Sequence, residues 1–123
     1  MKRSLNRVIL IQSNDELAQY TAALLDKIGF RHIHRAASKT DAENLFTKFM
    51  EKNEQIDLVV VDDSLEEGAL SLRTKLRDLN TLVITKESNP NNLNLYAHFN
   101  MKKIIFLPYG RKQIEKSMLM SQS

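Results

Sequence analysis

A chain of 123 residues with 42% hydrophobic and 27% charged residues is one globular domain's worth of polypeptide. Eighteen Lys and Arg against fifteen Asp and Glu give a net charge of +3, spread along the chain, which argues against a nucleic-acid footprint, as 7% aromatics and no Trp argue against a base-stacking platform. No Cys excludes disulfides, thiolate metal sites and Cys nucleophiles; with no apolar run of membrane-spanning length and no secretory signal, a cytoplasmic protein that makes no membrane contact is expected.

Short β-branched runs alternate with amphipathic stretches five times. Arg7 to Ile11 reads as a strand apolar on both faces. Asp15 to Ile28 reads as a helix, with Leu17, Tyr20, Thr21, Leu24, Leu25 and Ile28 on one stripe. Ser13 or Asn14 can cap its start, and Gly29 suits its end. Phe30 to Ala36 is a second strand. Ser38 to Lys52 is a second helix with Ala42, Leu45, Phe46 and Phe49 inward. Ile56 to Val61 is the most apolar strand, as expected of a central parallel strand covered on both faces. Leu65 to Leu79 is a third helix, Thr81 to Ile84 a fourth strand, and Pro90 to Phe99 a fourth helix. Lys103 to Leu107 is the fifth strand, and Lys112 to Met120 the last helix.

Five such units predict an α/β fold with a parallel sheet and helices on both faces. Residues just past the carboxyl ends of the strands then face one crevice. They are Gln12-Ser13-Asn14, Asp62-Asp63-Ser64, Thr85-Lys86-Glu87 and Pro108-Tyr109.

Four landmarks, in their order along the chain, resemble a response-regulator receiver domain, from Arg7 to about Met118. They are Ile28-Gly29-Phe30, Val59-Val60-Val61-Asp62, Val83-Ile84-Thr85 and Pro108-Tyr109. The resemblance implies a flavodoxin-like (βα)5 sheet of order 2-1-3-4-5. It implies Asp62 as the phosphoacceptor position and Thr85 and Ile104 as the switch positions. It also implies a magnesium ion held partly by two adjacent acids after the first strand, and a Lys before the Pro-aromatic pair that binds phosphoryl oxygens.

The sequence departs from that pattern twice. The acidic pair falls on Gln12 and Ser13, or one residue later on Ser13 and Asn14. Only a further shift recruits Asp15, in the first helical turn, where the macrodipole already favours an acid. The Lys position holds Leu107. Lys86, directly after Thr85, is a candidate crevice cation that could pair Asp62 without metal; pointing to solvent is its other reading. Ile104 cannot form the phenol switch that a Tyr allows.

Other constellations are weak. His32 and His34 share a strand face but lack a third metal ligand. No Gly-rich phosphate loop exists. Tyr96, Phe99, Lys103 and Arg111 offer apolar anchors with a basic rim, an interaction face for a partner or a second copy.

The expectation is a single, stand-alone receiver-like domain without an output domain, and not an enzyme. It would act by binding a histidine kinase, a downstream signalling protein or itself, with magnesium binding weak or absent and little phosphorylation. Two alternatives stand beside it: a working phosphoacceptor at Asp62, with Asp63 or Asp15 helping to hold magnesium, and an FMN-binding flavodoxin-like domain.

Overall fold

The computed structural model describes residues 7–62, 72–76, 79–85, 103–106 and 109–120. Five strands form one sheet: β1 (Arg7–Ile11), β2 (His32–Ala36), β3 (Leu58–Asp62), β4 (Thr81–Thr85) and β5 (Lys103–Phe106). Every pairing is parallel, and the order is β2-β1-β3-β4-β5. The described helices are α1 (Asp15–Ile28), α2 (Lys39–Glu51), α3 (Arg73–Leu76) and α4 (Arg111–Met120).

Strand alternation divides the apolar residues between two cores. Ile9, Ile11, Val59, Val61 and Val83 pack with Ala42, Phe46 and Phe49 of α2 and with Leu76 of α3. Val8, Leu10, Leu58, Val60, Leu82 and Ile84 pack with Ala18 and Leu25 of α1 and Ile114 of α4. With both faces covered, β1 and β3 are apolar at nearly every position.

Two helix ends set where the chain resumes. Gly29 has φ +128, and the Gly29 and Phe30 N–H groups donate to the carbonyls of Asp26 and Leu25. This is a Schellman end, in which the residue after the glycine packs back on the helix. Phe30 is accordingly buried with Leu25 in the α1 core, and β2 starts at His32 rather than at Phe30. The α2 helix ends the same way on Asn53 (φ 54), with Glu54 N–H donating to Phe49 O and Asn53 N–H to Met50 O. Starts are capped by Asn14, which accepts from Leu17 N–H, and by Ser38, which accepts from Asp41 N–H.

Three further boundaries move. The β3 strand spans Leu58–Asp62 instead of Ile56 to Val61. Asp57 is diverted to β1: its N–H donates to Arg7 O, and Arg7 N–H donates to its carboxylate at 2.9 Å. Arg7 also reaches Gln55 O at 2.8 Å and Glu54 at 2.6 Å. The β4 strand runs on to Thr85, and α4 begins at Arg111. On α1 the buried residues are Ala18, Thr21 and Leu25, whereas Tyr20 is 46% exposed. The expected fourth helix, Pro90 to Phe99, lies outside the described residues, as does most of the expected third.

Candidate functional site

Parallel register builds the site. Ile11 pairs Val61, so Gln12 and Asp62, one residue further on, come level at the carboxyl edge. Asp62 in turn pairs Ile84, which brings Thr85 to the same edge. Asp62 and Thr85 are buried, and Gln12 is fully so.

Gln12 meets Asp62 directly. Its Nε2 donates to Asp62 Oδ2 at 2.8 Å and, at a longer 3.4 Å, to the Tyr109 hydroxyl. The Tyr109 hydroxyl makes a close hydrogen bond with the Thr21 hydroxyl, which donates to Leu17 O. Tyr20 lies along α1 rather than under it, and its hydroxyl donates to Tyr109 O at 2.6 Å while the two rings meet edge to face. The Gln113 side chain accepts from Gly110 N–H. The turn before α4 is thereby tied to α1 and to Asp62.

The outer side of the same loop is held by charge. Arg35, on edge strand β2, donates to Gln12 O and Ser13 O at 3.1 Å each and pairs Asp15 at 2.6 Å. Asp15 is thus spoken for, and its side chain is 78% exposed. Arg35 holds it on the solvent side of the loop.

A magnesium ion asks for oxygen ligands in an octahedron and for one or two carboxylates. Here one group set against Asp62 is an N–H donor, the Gln12 amide. Among the described residues no three His, Asp or Glu side chains group as a metal site. The described donor set does not fit magnesium at Asp62.

Ile104 is half-buried and packs against the α2 core, its backbone paired with Val83. Arg111 is exposed and paired with Glu115 one helical turn on. The backbone of Lys103 opens β5 opposite Leu82. Lys86, Leu107, Tyr96, Phe99 and Asp63 lie outside the described residues. His34 lies edge-on to Phe49, and burial, followed by the nearby charges of Arg7, Lys48 and His32, pushes its pKa down. No helix among the described residues is long and apolar enough to cross a membrane.

Three side chains make site contacts that residue pattern does not announce. The Tyr109 phenol carries the polar handle that a Phe would lack, Thr21 is a polar residue on the α1 stripe, and Arg35 is a charge on the short strand β2. Each signal is visible in the sequence; the atoms each meets are not.

No family model and no curated protein sequence matches the chain. Solved structures do. A response-regulator receiver domain protein from Clostridium thermocellum superposes with a TM-score of 0.80 at 16% identity, over 95% of this chain and 94% of that one. A receiver domain protein from Methanospirillum hungatei JF-1 gives 0.78 at 15%, over 96% and 94%. A two-component response regulator from Cytophaga hutchinsonii gives 0.80 at 11%, over 98% of each chain. The chain has the receiver-domain fold.

Proposed function

We propose that the chain is an atypical receiver of two-component signal transduction that acts in the cytoplasm as a protein-binding module, not as an enzyme. One observation carries the atypical reading: the Gln12 amide sits on Asp62, the phosphoacceptor position, where the resemblance implies acids and a metal. Aspartyl phosphorylation adds negative charge to a site that must offset it. With a neutral amide at Gln12 and Leu107 at the Lys position, two sources of that offset are missing.

Removing one charge-stabilising donor costs about 3 kcal/mol of barrier. Losing the cation and the metal acids together reduces phosphoryl transfer by something on the order of 10⁴. Output then comes from association with a histidine kinase, a downstream protein or a second copy. The residues proposed for that face are Tyr96, Phe99, Lys103 and Arg111.

Acetyl phosphate and beryllofluoride test this reading. The expected result is no stoichiometric acyl phosphate at Asp62 within minutes and association unchanged by beryllofluoride. Stoichiometric modification that is lost in Asp62→Asn would instead make the chain a working phosphoacceptor.

A further inference from the structure

The hydrogen-bond chain leading to Asp62 has a fixed direction. Thr21 owns a single hydroxyl proton, and it goes to Leu17 O at 2.9 Å. The Tyr109–Thr21 bond therefore has Tyr109 as its donor. With its proton used, the Tyr109 oxygen accepts from Gln12. The sequence of donors runs Gln12, Tyr109, Thr21, and ends on a helix carbonyl that has no proton to give back.

That terminus decides which way the Gln12 amide faces. Both groups next to Nε2, a carboxylate and a phenol oxygen whose proton is engaged, are acceptors. A flipped amide would set Oε1 against both. The amide is held with its NH2 inward, although among the described residues this leaves Oε1 buried without a hydrogen-bond partner. Leaving a buried acceptor unpaired is unfavourable, so the orientation is imposed by the neighbours rather than chosen by Gln12 alone.

We propose that Tyr109 is a positioning residue for Asp62. Through Tyr109 and Thr21, the Leu17 carbonyl obliges Gln12 to donate to the Asp62 carboxylate, and the amide so held stands where a divalent cation would otherwise be required. The same chain couples Asp62 to the turn that starts α4, because Tyr109 opens that turn and is held there by Tyr20. The inference rests on the geometry of one amide and not on the signalling role proposed above. A phosphorylated Asp62 would end that role and leave the amide's orientation to be tested separately.

Nuclear magnetic resonance of the whole chain reads it. The Gln12 side-chain amide is assigned by its loss in Gln12→Glu. Tyr109→Phe removes only the phenol oxygen and should speed exchange of the Gln12 amide protons about tenfold, the equivalent of roughly one hydrogen bond. The Thr21 hydroxyl meets Leu17 O and Tyr109 rather than Asp62, yet Thr21→Val frees the Tyr109 proton to turn toward Gln12 Oε1. It should move the Asp62 carboxyl carbon signal in the same direction as Tyr109→Phe does. A merely structural role for Thr21 would leave that signal still.

Magnesium supplies the second arm. Millimolar magnesium chloride should leave the wild-type Asp62 signal unchanged, whereas Gln12→Glu, with two facing carboxylates, should gain a saturable response. Wild-type binding of magnesium that disappears in Asp62→Asn overturns the proposal. So does a Gln12 amide indifferent to both Tyr109→Phe and Thr21→Val. The magnesium arm on the wild-type protein stands even if a variant fails to fold.

Discussion

The loop after β1 is held from two sides by different means. From inside, Gln12 is anchored by neutral hydrogen bonds and one carboxylate, all buried. From outside, Arg35 grips two carbonyls and Asp15 at the protein surface. Arg35 makes the more contacts, and two of them are to the backbone itself. Counting contacts would rank it first, but the environment ranks it second. Surface ion pairs are screened and carry the entropy cost of ordering two long side chains. A buried carboxylate that loses a donor has no water to replace it.

The largest expected effect tests the inner clamp. Gln12→Leu keeps the volume but removes one donor to Asp62, and should lower unfolding free energy by about 2 kcal/mol in a urea titration. Tyr109→Phe should cost about 1 kcal/mol in the same titration, since the ring stays packed and only the hydroxyl goes. Arg35→Ala should cost about 0.5 kcal/mol, and the difference from wild type should shrink in molar salt. If Arg35→Ala proves more damaging than Gln12→Leu, the ranking is inverted and the outer clamp is the one that holds the loop.

The smallest effect comes from a group outside both clamps. The His34 pKa lies below its ordinary value of 6.5 because of burial and the positive neighbours Arg7, Lys48 and His32, with Glu54 acting in the opposite sense. As pH falls, the unfolded chain takes up the His34 proton before the folded one does. Its contribution is intact above about 6.5 and declines below that value until the folded His34 titrates too. Melting curves from pH 7.5 downward should show a slight extra fall in wild type that His34→Gln lacks.

Much of the fold could be read from residue patterns because two-sided burial writes long apolar strands, as in Val59 to Val61, and because capping residues such as Asn14 and Gly29 punctuate helices. Strand edges were less legible. Phe30 looks like strand, but the helix end claims it; Asp57 looks like strand, but Arg7 claims it. At the site, parallel register predicts that Gln12 and Asp62 lie near each other. It does not predict that the amide would turn its nitrogen inward, because that depends on Thr21 and Tyr109, which are 88 residues apart in sequence. Periodicity assigns a face to each residue and is silent about which polar atoms meet there.

The pins at the two ends of β1 have one more consequence. Both β1 and β3 are apolar on both faces, so sliding one past the other by a residue still presents apolar side chains everywhere. Hydrophobic patterning, which fixes register where one face is wet, is nearly blind here. What distinguishes the native alignment is polar and terminal: Arg7 locked to Asp57 at the start, Gln12 to Asp62 at the finish. A slip of one residue, about 3.3 Å, breaks both locks at once. The ends of these strands act as registration marks for a middle that carries none, and a change at Gln12 is felt by the alignment of the sheet as well as by the carboxylate beside it.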